Sequence, residues 1–201
     1  MNKKVIRGAI MIIIISLSTA GILFGKDNSP NYLSLHDFNT SPENNSYEWT
    51  DFTDQVMGGK SEGATSLMQE DGEFFLRLSG TVSLENNGGF IQSRLKFVTG
   101  LNVFNASEYD GVRVLVRGKG SGYYLFFRTS ATLFPWLYYS APIGLSEEWQ
   151  EIDIPWSAIK KGDFGRPGRF NSARLKSIAL VAYGREFTAE VDLKQIGLYK
   201  N

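Results

Sequence analysis

The chain opens on one apolar block and then settles into short alternations. Lys3, Lys4 and Arg7 precede an uncharged run of 18 residues from Gly8 to Gly25. A basic start followed by an apolar stretch reads as an export signal, with small residues Ser18 and Ala20 at positions −3 and −1 of a cut after Ala20. The same run is also long enough for an uncleaved membrane anchor helix. Both readings leave the positive end inside and export the rest, which places the domain in the periplasm or anchored on the extracytoplasmic side. Residues 26–47 are polar and turn-rich, a linker and domain entry. There Leu33, Leu35 and Phe38 predict a short strand around His36 and Asp37.

From residue 48 to 201 the pattern has period two. It predicts one or two strands over 74–84, then strands over 90–98, 111–117, 123–129, 136–141, 149–154, 177–183 and 187–199. Ile91, Leu95 and Phe97 fall on one face of their strand and Gln92, Arg94 and Lys96 on the other. Val112, Val114 and Val116 alternate with Arg113 and Arg117, and Arg128 projects from an otherwise aromatic run. Residues 156–160 have room for a single helical turn, and no longer helical period follows residue 25. Short strands with turn signals every 8–12 positions predict an all-β, antiparallel, jelly-roll-like sandwich of one domain.

Composition narrows the chemistry. With 21 basic and 21 acidic residues the net charge is zero, so no global field favours nucleic acid. There is no cysteine, which removes disulfides, thiolate metal sites and cysteine nucleophiles. The single histidine, His36, is the one base available to a serine triad, and it reads as a surface or strand-edge residue. Gly59-Lys60-Ser61 lacks the earlier glycine of a phosphate loop, since position 54 is aspartate. Glu85, Glu108, Asp110, Glu147 and Glu148 could supply a glycosidase pair, but none is singled out. No catalytic set, cofactor or metal site is expected, with calcium near Asp51, Asp54 and Glu85 the one alternative left open. Trp136, Tyr138, Tyr139, Trp149 and Trp156 read as core, or as a sugar-stacking platform centred on Trp136, Tyr138 and Trp156. Lys160, Lys161, Arg166, Arg169, Arg174 and Lys176 form a basic stretch, a solvated loop or a contact for anionic headgroups.

Two glycine-marked segments stand out: Asp54-Gln55-Val56-Met57-Gly58-Gly59-Lys60-Ser61 and Glu85-Asn86-Asn87-Gly88-Gly89-Phe90. Together with Tyr109-Asp110-Gly111, Val116-Arg117-Gly118, Trp149 with Ile154-Pro155-Trp156, and a closing segment carrying Phe187, Val191 and Ile196, they resemble the complex I intermediate-associated protein 30 family over roughly residues 35–200. The resemblance implies a galactose-binding-like β-sandwich, similar to carbohydrate-binding modules. It also implies a non-enzymatic, protein-binding assembly factor or chaperone for a membrane complex. Export sets this chain apart from relatives that assist NADH:ubiquinone oxidoreductase, so fold is expected to carry over better than partner. The expected partner surface comprises Asp54, Met57, Gly58, Gly59, Ser61, Asn86, Asn87, Gly88, Gly89, Phe90 and Arg94. Asn86 to Gly89 also suits a tight turn with no partner. The alternative is an exported module that binds a glycan.

Overall fold

The computed structural model describes residues 31–40, 47–97, 103–134, 136–163 and 167–201. The expected signal or anchor over 1–25 lies outside the described residues. Among the described residues twelve strands form two antiparallel sheets that face each other. In chain order they are β1 (Tyr32–Asp37), β2 (Trp49–Thr53), β3 (Glu62–Glu70), β4 (Glu73–Val82), β5 (Phe90–Lys96) and β6 (Gly111–Gly118). Then come β7 (Tyr123–Thr129), β8 (Tyr139–Pro142), β9 (Gln150–Pro155), β10 (Lys160–Lys161), β11 (Leu175–Tyr183) and β12 (Phe187–Tyr199). The first sheet has the order β3-β4-β12-β6-β9, with β1 also on β12; the second runs β10-β8-β7-β11-β5-β2.

Alternation decides which side chains enter the sandwich. From the first sheet Leu78, Val114, Val116, Val191 and Leu193 point inward, and from the second Ile91, Leu95, Leu125, Phe127, Ile178 and Leu180; all belong to one buried cluster. At ~25 cal/mol per Å2 of apolar surface removed from water, this shared core is the main force holding the sheets together. The strand β5 keeps the expected faces: Ile91 and Leu95 are buried, while Arg94 and Lys96 face outward.

Sequence and structure differ in several places, among them β2 and β10, which the period-two pattern did not predict. The run 74–84 is one strand, β4, and its hairpin partner β3 went unpredicted because that edge strand is mostly exposed and lacks a continuous apolar face. The strand expected over 136–141 is only Tyr139–Pro142. His36 lies on a strand paired, among the described residues, only with β12, as the strand-edge reading expects, but it is 9% exposed rather than on the surface, its ring lying 4.3 Å from Phe38 and 6.1 Å from Trp49. Burial lowers its pKa, the Tyr47 backbone and Asp37 opposing that shift.

Candidate functional site

The two glycine-marked segments are the crossings between the sheets at one end of the sandwich. The first carries the chain from β2 to β3, and the second returns it from β4 to β5. Asp54 joins them. It opens a 3-10 turn, Asp54–Met57, capped by the Thr53 hydroxyl, which accepts from Gln55 N–H. The Asp54 side chain is fully buried. One carboxylate oxygen accepts from Ser61 N–H at 2.9 Å. The other accepts from Gly89 N–H at 2.6 Å, from Phe90 N–H at 3.2 Å, and from the Ser61 hydroxyl. That hydroxyl in turn accepts from Ser83 N–H at 2.9 Å. Burial alone would raise the Asp54 pKa, but the bonds from Ser61, Gly89 and Phe90 favour the anion and bring it below the usual value.

The glycines follow from this carboxylate. A Cβ on Gly88 would sit 2.5 Å from an Asp54 oxygen, and one on Gly59 would sit 2.7 Å from Asp54 Cβ. Asn86 and Asn87 have φ of 56° and 58°, a left-handed conformation that asparagine tolerates better than most residues. Asn86 also donates to the Gly58 carbonyl at 3.2 Å.

The expected partner surface therefore splits in three. Asp54, Gly59, Ser61 and Gly89 are buried and Gly88 half-buried, so they hold loops together and present little surface. Met57, Gly58, Asn86 and Asn87 form an exposed rim, joined by Val56 and Leu84 at 72% and 46% exposure. Phe90 and Arg94 lie on the outer face of the second sheet.

That outer face is the other feature of the molecule. Register puts Arg94 beside Thr50 and Ala179, and Ala179 beside Phe126; Gln92 lies between Phe52 and Val181, which neighbours Tyr124. Phe126, Tyr138, Ala179 and Val181 form a small second cluster with Phe90, Tyr124 and Tyr183 packed on it. Arg94 lies over the Phe52 ring at 4.6 Å, and its one polar contact among the described residues is 3.4 Å to the Gln92 amide oxygen. Its Nε is buried without a hydrogen-bond partner among the described residues. Burial, and then the charge of Arg128, lowers its pKa to about 10. Arg128 is itself pushed down by burial and donates to the Phe134 carbonyl at 2.7 Å. Tyr183 donates to Asp163 at 2.9 Å, and burial with its Tyr138 and Asp163 neighbours raises its pKa.

The sugar-stacking trio does not form one platform. Tyr138 is buried and stacked on Phe126 at 4.0 Å. Trp156 packs on the main core beside Phe127 and Phe170 and donates its indole N–H to the Tyr109 carbonyl at 2.6 Å. Trp136 is 49% exposed and stacks on Phe134. The calcium alternative also loses its ligands. Asp54 is saturated, Asp51 accepts from Thr65 and Ser93, and no metal-capable group of three forms among the described residues.

The outer face of the first sheet provides a contrast. A cleft of about 580 Å3 there is lined by Arg77, Arg117 and Asp192. Asp192, 4% exposed, accepts from Arg77 at 2.7 Å and from Arg117 at 2.9 Å. Arg117 also pairs with Glu70, and Lys194 with Glu73. These cations have their carboxylates.

A match to the family described as Complex I intermediate-associated protein 30 (CIA30) spans residues 36–194. The chain belongs to this family. No curated protein matches the chain. Among solved structures the fold of this family member is similar to the Family 11 Carbohydrate-Binding Module of cellulosomal cellulase Lic26A-Cel5E of Clostridium thermocellum. Identity is 14%, coverage 85% of this chain and 95% of that one, and the TM-score 0.67. It is also similar to the Family 30 module of cellulase Cel9D-Cel44B from the same organism, at 16% identity, 84% and 98% coverage and TM-score 0.56. At these identities the likeness concerns the fold, a two-sheet antiparallel sandwich.

Sequence reasoning identified Arg94 and Arg128 singly. It did not bring them together, nor add Phe52, Tyr124 and Tyr183. The available signal was the outward-facing alternate positions of β5, β7 and β11 read side by side, which requires the strand order.

Proposed function

We propose that this family member is a non-enzymatic binding module that holds a protein client, in keeping with an assembly factor for a membrane complex. Its apolar N-terminal run supports an exported setting. The observation that carries the reading is the outer face of the second sheet. A half-buried arginine lies over the Phe52 ring beside the aromatic cluster, and its Nε finds no hydrogen-bond partner among the described residues, an arrangement suited to recognition. Asp54 and Ser61 of the crossings, by contrast, are consumed in holding loops together.

The test is crosslinking of the tagged full chain in intact cells, followed by mass spectrometry. Capture of a defined complex, lost in Arg94→Gln and kept in Trp149→Phe, is expected. Identical capture by wild type and Arg94→Gln would remove this face as the client surface.

A second reading is glycan binding. It draws on the half-exposed rings of Phe52, Phe90, Tyr124 and Tyr183 along the same face, and on a fold shared with a module solved with a β-1,3-1,4-mixed-linked tetrasaccharide. It predicts a tryptophan or tyrosine fluorescence change with neutral β-glucans; a flat titration across such a panel removes it.

A further inference from the structure

We infer that Arg94, flanked by Arg128 and Lys96, receives the carboxylate of an aspartate or glutamate side chain from an extended client segment lying on the outer face of the second sheet. The inference rests on the reading of this face as the client surface and adds the chemistry of what binds there.

Three observations carry it. First, Arg94 pairs with no carboxylate among the described residues, whereas Arg77, Arg113 and Arg117 on the other sheet each have one within 2.9 Å. A guanidinium is a planar fork of five donors, and leaving it half-buried with one weak contact is unfavourable unless an acceptor arrives. Second, its surroundings add positive charge. Arg128 sits diagonally across β11, on the residue paired with Ser177, while Arg94 pairs with Ala179. Lys96, two residues along β5, lies 5.6 Å from the same Phe52 ring that Arg94 covers. An incoming anion thus meets three cations. Of the acids near this face, Asp163 is held by the Tyr183 hydroxyl, and the exposed Glu48, which precedes β2, adjoins the Lys96 end of β5. Third, the rings leave grooves and edges rather than open plates, since Phe126 and Tyr138 stack on each other and Tyr183 meets both edge-on. Apolar side chains of a peptide pack against edges, whereas a pyranose ring needs a free aromatic face. The geometry therefore favours an acidic peptide over an acidic polysaccharide.

The test uses the full chain in detergent micelles. The probes are synthetic nine-residue peptides on an array, with leucine and phenylalanine at alternate positions and a central Glu, Asp, Gln or Lys. Expected is at least a tenfold preference for Glu or Asp over Gln in the wild type, absent in Arg94→Gln and partly restored in Arg94→Lys. Thermal unfolding of Arg94→Gln, expected at or above the wild-type midpoint, is measured alongside so that a lost preference in a folded variant is read as lost chemistry. Equal binding of Glu and Gln peptides, or an acid preference that survives in Arg94→Gln, overturns the inference. Polygalacturonate outcompeting every peptide also overturns it, by assigning the anion site to a glycan. A defined client captured in cells but bound without acid preference leaves the proposed function standing and removes only this chemistry.

Discussion

Replacing Asp54 with alanine removes an acceptor shared by four donors: the Ser61 hydroxyl and the N–H groups of Ser61, Gly89 and Phe90. Each buried donor left without a partner costs about 1–3 kcal/mol, and relaxation and water entry recover part of that, so a loss of about 3–5 kcal/mol is expected. The loss is a large share of the ~5–15 kcal/mol typical of a folded domain. Gly88→Ala should cost about 2–4 kcal/mol by the same route, because its Cβ, 2.5 Å from an Asp54 oxygen, displaces the carboxylate from its donors. The two changes therefore damage one interaction. With the carboxylate gone, the nearest atom to that Cβ is the Glu85 carbonyl oxygen at 3.0 Å, a milder contact. The double variant should fall short of the sum of the singles by about 2 kcal/mol, well beyond the ~0.5 kcal/mol scatter of independent sites. Urea unfolding followed by tryptophan fluorescence measures all four corners of the cycle. Additive losses would show that Gly88 is required for some reason other than Asp54, and the account of the crossings would fail.

Arg94→Met should raise stability by roughly 1–3 kcal/mol, since it removes a half-buried cation whose pKa is lowered to about 10; a lower midpoint in urea would contradict this. Asp192→Asn should cost about 2–4 kcal/mol by leaving Arg77 and Arg117 without their shared carboxylate, read by the same unfolding assay. His36 has a lowered pKa, so the unfolded chain takes up its proton first. Its contribution to stability is present above the unfolded value near 6.5 and is lost as pH falls toward the folded value; His36→Phe should flatten that part of the profile. Asp54 also has a lowered pKa, but as an acid it stabilises above its unfolded value near 3.8 and stops doing so as pH falls through the folded value. Wild type should accordingly lose more stability than Asp54→Asn between about pH 4 and 2.

The sandwich was legible because its inner faces are written in alternation, as in Val112, Val114 and Val116 or Ile91 and Leu95, and alternation fixes sides without knowledge of neighbours. The strand β3 was not, because an edge strand with Gln69, Glu70 and Ser66 exposed lacks that signature. The two glycine-marked segments were visible as a pair, but their purpose was not. That Asp54 faces Gly88 and Gly89 across 34 and 35 positions depends on two separate crossings meeting at one end, which spacing along one chain does not encode. The strand-edge position of His36 was legible but its burial was not, because Trp49, 13 positions away, comes against it only in the folded sandwich. Arg94 was recognised as outward-facing, but its lack of a carboxylate is a statement about β2, β7 and β11 as well as β5.

The longest strand, β12, has a consequence for reach. Its 13 residues rise over roughly 40 Å. Its first residue, Phe187, pairs with Val82 beside the crossings, while its last, Tyr199, pairs with Tyr32, and Lys200 N–H donates to the Asn31 carbonyl at 2.7 Å. The described chain thus enters and leaves at one corner, and the rim of Val56, Met57, Leu84, Asn86 and Asn87 lies at the far pole. A domain tethered from its entry side would carry that apolar rim outward, about one strand length from its point of attachment, with the arginine face along its flank.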